Sequence, residues 1–328
     1  MSGGLLGAGS VDLHAALEEL RERGGTDEAH LIGLLEQAVT DTYRRLVPDD
    51  PAVHARVDVL TGHFELVRPD AEDPDRLDHV DPPADFARQA ATACRAAVAG
   101  LIRDVEAERI LREANARRGE LVDAIVERQD GPLVWLSTGP LPVLLPPEEQ
   151  IPGEQMERGR HLKVVVIDAR RRGRDAVAVA SRSHPDLLRR LLEQEVPELA
   201  SGQVLVRAMA REPGRRSKVA VEAAQPGVDP VGACIGPKGV RIRAVVSELG
   251  EEQVQVIAWS RDEATYVANS LQPAAVRHVE LDEETHTAHV LVPAGQLSLA
   301  IGRSGENARL AARLTRWRID IEGEGEAQ

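Results

Sequence analysis

The sequence predicts an α+β chain of several domains, and three observations predict it. Up to about residue 115, apolar side chains fall at helical spacing around one short hairpin. Between residues 116 and 182, five short apolar runs alternate with turn residues. Residues 183–323 then run through one order of helices and strands twice. A chain of 328 residues has room for two to four domains of ordinary size.

Composition narrows the function classes. With 42% hydrophobic and 29% charged residues the chain is expected to fold. Two Phe, two Tyr and three Trp leave Leu, Val, Ile and Ala to build the cores, which argues against an aromatic cage or a long base-stacking platform. Two cysteines, Cys94 and Cys234, are too few for a disulfide framework or a zinc site. No apolar run approaches the ~20 residues of a membrane span, and the start, MSGGLLGAGSVDL, lacks the basic region of a signal peptide. A cytoplasmic location follows as the expectation. The net charge of −14 speaks against a nucleic-acid partner, but its distribution does not. Residues 1–100 hold 19 acidic and 9 basic side chains, whereas residues 201–328 hold 17 and 15. A basic face is therefore available in the second half.

In residues 1–115, Leu13, Ala16, Leu17 and Leu20 predict a helix over 11–24, ended by Gly24-Gly25. Thr26-Asp27-Glu28 caps a second helix with Leu31, Leu34, Leu35 and Val39 on one face and Pro48 beyond its end. VHARVDV and HFELV around Thr61-Gly62 predict a hairpin over 53–68. Residues 69–82 read as an acidic connection. A long Ala- and Arg-rich helix is expected from about Pro83 to Arg117. In residues 116–182 the runs ELVDAIVE, PLVWLST, LPVLLP, HLKVVVIDA and AVAVASR, with one longer connection from Pro146 to Arg160, fit a small OB-type barrel.

The repeat is the most informative feature. A helix from about Pro185 to Glu195 leads to the strands QVLVRAMA and SKVAVEAA and to a short helix ending in CIG. Gly236-Pro237-Lys238-Gly239, the helix VRIRAVVSELG and the strand QVQVIAW complete the first unit, 183–260. The second, 261–323, runs DEATYVANSL, VRHVELD, THTAHVLV, a helix ending in AIG, Gly302-Arg303-Ser304-Gly305, ENARLAARLT and WRIDIE, with 324–328 left as a tail. Both read α-β-β-α-GxxG-α-β. One G-x-x-G is weak evidence, but two in the same slot, each holding a basic residue, are not. Such a loop at a helix N-terminus lets a sugar-phosphate backbone approach N–H groups and the positive end of the helix dipole. This is the KH clamp, which grips about four single-stranded nucleotides.

Basic residues flank both loops. Arg309, Arg313 and Arg316 form a stripe beside the apolar face of Leu310, Leu314 and Trp317. Lys238, Arg241 and Arg243 crowd the first turn of the corresponding helix, and Arg211, Arg215, Arg216 and Lys218 are expected on the turn between two strands. Trp259 and Trp317 read as core residues, and His278, His286 and His289 as surface ones. GACIGPKG lacks the G-x-x-x-x-G-K-[ST] spacing of a phosphate loop, and no H-E-x-x-H or C-x-x-C occurs. No catalytic residue, metal or cofactor is expected, and the chain is not read as an enzyme.

Three stretches, EVPELASGQVLVRAMAREPGRRSKVAVEA, VDPVGACIGPKGVRIRAVVSELG and QLSLAIGRSGENARLAARLTRWRIDI, resemble the NusA family of bacterial transcription elongation, termination and antitermination factors. The resemblance implies an N-terminal RNA-polymerase-binding domain over 1–115, an S1-type OB barrel over 116–182 and two tandem KH domains of type II. It implies a monomer that docks on core RNA polymerase, holds nascent single-stranded RNA and modulates pausing, termination and antitermination, with other Nus-type factors as further partners and no membrane. The implied KH contacts are Gly236, Lys238, Gly239, Arg241, Gly302, Arg303, Ser304, Gly305, Asn307 and Arg309. The barrel departs from the family pattern: Trp135 is its only aromatic and Met156 stands where an aromatic is common, so a spacer role is expected for it. The sequence stops just after the second KH unit, so the C-terminal modules of some relatives are expected to be missing. A KH/S1-type subunit acting in RNA decay or on the ribosome is the alternative, separated from the first reading by what residues 1–115 bind.

Overall fold

The computed structural model describes residues 3–4, 28–58, 63–70, 72–73, 76–139, 141–250 and 252–324. The helix expected over 11–24, its successor's cap at Thr26-Asp27 and the Thr61-Gly62 turn lie outside them. Two compact units divide the chain: Met1–Ala116 with Ala169–Val177, and Arg117–Asp168 with Ala178–Gln328.

In the first unit, α1 (Glu28–Leu46) buries Leu31, Leu35 and Val39 along one stripe. The sheet pairs β3 (His63–Pro69) with β1 (Gly3–Gly4), β2 (His54–Asp58) and β4 (Leu77–His79), all antiparallel. The strand β4 falls inside the stretch read as a mere connection; three residues are too short for alternation to show. Helix α2 (Phe86–Ala116) starts after Asp85, which takes φ 63° and so cannot continue a helix back to Pro83. Its buried side is mostly small, with Ala90, Cys94 and Val98 facing the core. Both phenylalanines meet here, Phe64 and Phe86 edge to face at 5.5 Å, with Tyr43 at 6.0 Å from Phe86.

A barrel closes in the order β5-β6-β7-β9-β8 from β5 (Leu121–Asp130), β6 (Leu133–Ser137), β7 (Pro142–Leu145), β8 (His161–Arg172) and β9 (Asp175–Ser181); it belongs to the second unit except for the hairpin end of β8 and β9, residues 169–177, which counts with the first. Closure leaves no free strand edge. The first KH unit follows: α3 (Pro185–Glu195), α4 (Pro197–Ala200), β10 (Val204–Glu212), β11 (Arg216–Ala223), α5 (Pro230–Ile235), α6 (Val240–Leu249) and β12 (Gln253–Ala258). The second has α7 (Glu263–Ser270), β13 (His278–Asp282), β14 (Thr287–Pro293), α8 (Leu297–Ile301), α9 (Glu306–Thr315) and β15 (Arg318–Glu324). Each sheet pairs its first two strands antiparallel and its last two parallel.

Two sets of contacts fix these parts together. Arg182 is fully buried and uses its guanidinium completely: Nε and Nη2 donate to Glu154 at 2.7 and 2.6 Å, Nη1 to Glu248 Oε1 and Lys163 O, and Nη2 to Glu248 O. Since Glu248 lies on α6, this network ties the barrel to the first KH unit. The two KH units share a core. Ala210, Ala220 and Ile257 of the first pack with Tyr266, Leu310 and Leu314 of the second, and Tyr266 Oη donates to Leu314 O at 3.2 Å. Trp317 is buried in the second unit's own core, with His286 stacked on it at 4.1 Å.

Candidate nucleic-acid interface

The two G-x-x-G loops follow one backbone path. Gly236 lies at φ 72°, ψ 172°, Lys238 at 52°, 25° and Gly239 at 75°, 20°. Gly302, Ser304 and Gly305 lie at 77°, 170°, then 52°, 29°, then 72°, 13°. A Cβ on Gly236 would stand 2.7 Å from Arg241 Cγ, and one on Gly302 2.7 Å from Asn307 Cβ, so both the sign of φ and the close approach require glycine. The path delivers the chain into the ten-residue helices α6 and α9, and their first N–H groups have no partner within the helix. Lys238, Arg303 and Ser304 are exposed on these loops.

Two roles recur in both units, one with the same side chain and one with a different one. Arg243 Nη1 donates to the loop carbonyl of Lys238 at 2.5 Å, and Arg309 Nη1 to that of Ser304 at 3.3 Å. One position under each first glycine, Arg241 donates to Ala233 O at 2.7 Å, and Asn307 Nδ2 to Ala300 O at 3.0 Å.

This corrects the reading of several predicted contacts. Asn307 is only 1% exposed and also donates to Leu271 O, so it anchors the loop instead of facing a ligand. Arg241 is half-buried and paired with Glu198 at 2.9 Å. The stripe on α9 does not stand free. Arg309 makes a two-pronged pair with Glu212 at 2.6 and 2.9 Å, Arg313 approaches the same carboxylate at 3.4 Å, and Arg316 has left the helix at φ 67°. The hydrogen bonds of Arg309 hold the Glu212 carboxyl below its usual range, against the effect of burial.

The cluster expected on the β10–β11 turn divides. Arg215 is exposed and Arg216 half-buried, but Arg211 is buried against Glu252, at 2.9 Å to each oxygen. Lys218 is fully buried, its Nζ donating to Gln255 Oε1 at 2.7 Å and Gln272 O at 3.0 Å; burial pushes its pKa down to about 7. The strand register puts Arg211 beside Ser217 and Lys218 beside Ala210, on opposite faces of a sheet that is packed on both, and charge type alone assigned the two cations to the surface.

Structure adds residues that the predicted contacts leave out. Ile235 and Val240 flank the first loop, Leu299 and Ile301 the second, and all four are at least 38% exposed. Apolar groups at the lip of a clamp can meet the flat faces of bases while the loop meets phosphates. The only signal in the sequence was the shared Ile before each first glycine. Among the described residues no group of His, Cys, Asp and Glu is arranged to hold a metal ion. Burial pushes both cysteine thiols up to about 11, so neither is a ready nucleophile.

Comparison with known proteins gives the same architecture a family. The profile of the NusA-like first KH domain matches residues 182–259, and that of the NusA-like second KH domain residues 263–328. The transcription termination/antitermination protein NusA of Halalkalibacterium halodurans is 41% identical over 84% of this chain and 72% of its own length. The NusA of Mycobacterium bovis is 38% identical over 96% of this chain and 94% of its own. That of Thermus thermophilus is 41% identical over 77% and 66%. With both KH units matched in order and the likeness running through nearly the whole chain, this protein belongs to the NusA family of transcription termination/antitermination proteins.

Proposed function

We propose that the chain acts in transcription termination and antitermination by holding nascent single-stranded RNA on its KH pair while residues 1–115 dock on core RNA polymerase. The observation that carries this reading is the duplicated loop. Two G-x-x-G turns of matching dihedral angles each deliver an exposed cationic residue, Lys238 or Arg303, to a helix N-terminus. That arrangement suits phosphates along a flexible strand and carries little sequence information. The shared KH core holds the two loops in a fixed relation to each other. The acidic surplus of residues 1–100 supports a protein partner for that segment and keeps RNA off it. Barrel residues 116–182 act as an S1-type spacer. The chain works as a monomeric, cytoplasmic binding factor without catalysis, and the relatives' names favour this over a role in RNA decay or on the ribosome.

Two measurements test it. With about 3–5 phosphates neutralised, log K for unstructured RNA should fall against log salt with a slope of roughly −2 to −4; a salt-independent affinity would refute phosphate clamping. Removing residues 1–115 should abolish capture of core RNA polymerase and leave RNA binding intact or stronger. Undiminished polymerase capture by the shortened chain would place the docking surface elsewhere.

A further inference from the structure

Each KH sheet has two faces, and in the first KH unit both are covered. The register of β10, β11 and β12 sets out two rows on the outer face, Ala208–Ala220–Ile257 and Ala210–Lys218–Gln255. These rows receive Tyr266, Leu310 and Leu314 of the second KH unit. The repeat places the same rows on the second sheet, where they read His278–Leu291–Glu322 and Glu280–His289–Asp320. No other element among the described residues covers them: Leu291 is half-buried and the other five side chains are exposed. They border a trough of about 700 Å³.

The second G-x-x-G loop lies on the other side of this sheet. Ala288, Val290 and Val292 pack there with Ala300 of α8 and Ala311 of α9, and the loop joins those two helices. The trough therefore faces away from the clamp, and its charge is opposite. Four carboxylates, Glu280, Asp282, Asp320 and Glu322, stand against one cation, Arg318 at the start of β15. Such a surface repels RNA. A soluble end to a repeat needs only polar residues of mixed sign, not one sign gathered around an apolar floor. Leu291 is that floor, between His278 and Glu322 in the register. A guanidinium group suits this set: its head pairs with a carboxylate, its plane stacks on an imidazole ring and its aliphatic stem rests on the leucine.

We propose that the outer face of the second KH sheet is a docking surface for an arginine-rich segment of a protein partner, held there while RNA occupies the clamps. The first KH unit shows that this face of the fold seats helices, and the second carries the charge that complements a basic one. Docking is independent of what the loops hold, whereas simultaneous occupancy rests on their reading as RNA clamps.

The test uses the full chain and a labelled, alanine-based helical peptide with arginines along one face, followed by fluorescence anisotropy at low salt. Glu280→Gln/Asp320→Asn/Glu322→Gln should weaken the peptide about tenfold. Glu127→Gln/Asp130→Asn/Asp175→Asn removes the same charge from exposed barrel positions and should leave the affinity within about twofold. Leu291→Arg, which sets a cation on the floor, should weaken the peptide as much as the triple face variant, with melting as the check on its fold. Unlabelled single-stranded RNA should not displace the peptide, and the triple face variant should keep its RNA affinity. No peptide binding by the wild type, wild-type affinity in the triple face variant, equal loss in the face and barrel variants, or displacement of the peptide by RNA would each overturn the proposal. Failure of the clamp reading is distinguishable: the wild type would then bind no RNA, and the contrast between the face and barrel variants would still decide the docking surface.

Discussion

Reversing charge in both loops at once tests the clamp most directly. Lys238→Asp, Arg303→Asp and Ser304→Asp change the local charge by two units at each of the first two positions and by one at the third. The fold should tolerate all three. The side chains are exposed, and Lys238 and Ser304 sit at φ 52°, a conformation in which Asp is among the better-tolerated residues. A change within about 0.5 kcal/mol per site is expected. Binding should respond far more. A unit charge ~5 Å from a phosphate is worth about 0.8 kcal/mol in water. Five units amount to roughly 4 kcal/mol, of which salt screening at 0.1 M removes about 40%. The remaining ~2.5 kcal/mol corresponds to a loss of roughly 50- to 100-fold. Favourable contact of the new carboxylates with the helix dipoles reaches only about 0.3–1 kcal/mol in the free protein and raises the loss slightly. Fluorescence anisotropy with a labelled unstructured RNA reads the affinity, thermal melting checks the fold, and capture of RNA polymerase checks the rest of the chain. A variant with unchanged melting and wild-type RNA affinity would show that both loops are merely tight turns.

Three further outcomes follow from packing and charge. Arg182→Ala leaves buried Glu154 with Arg160 alone and part-buried Glu248 with the Lys163 N–H alone, and should cost about 2–4 kcal/mol in denaturant unfolding; a loss below ~1 kcal/mol would remove Arg182 as the tie between barrel and KH unit. Lys218 has a folded pKa near 7 against 10.5 for the free group, so the unfolded chain binds more protons between those values and stability should rise with pH across that window. Lys218→Met should flatten this rise, and an unchanged slope in urea melts from pH 7 to 10 would contradict the buried position. Gly302→Ala combines φ 77° with a Cβ 2.8 Å from Asn307 N; a cost of roughly 1–3 kcal/mol is expected, and a neutral change would mean that the loop relaxes freely.

Short-range chemistry made much of this protein legible in its sequence. Helical and strand periodicities, with Gly and Pro punctuation, revealed the order of elements in the barrel and in both KH units. The doubled G-x-x-G exposed the repeat, since a left-handed backbone at a fixed slot leaves glycine as its mark. Period and turn chemistry act over a few residues, so a linear reading captures them. Contacts that close over long separations needed the tertiary structure. Arg309 meets Glu212 across 97 residues and Arg182 meets Glu248 across 66, and nothing in either local sequence selects the partner. Arg211 and Lys218 looked like surface charge because their type is usually exposed; the fold turned them inward, where Glu252 compensates the first and Gln255 and Gln272 receive the second. Asn307 looked like a contact and proved to be an anchor for the same reason. Side-chain type and spacing determined which loops can approach a phosphate, whereas burial decided which cations remain free to do so, because burial is a property of the packed whole.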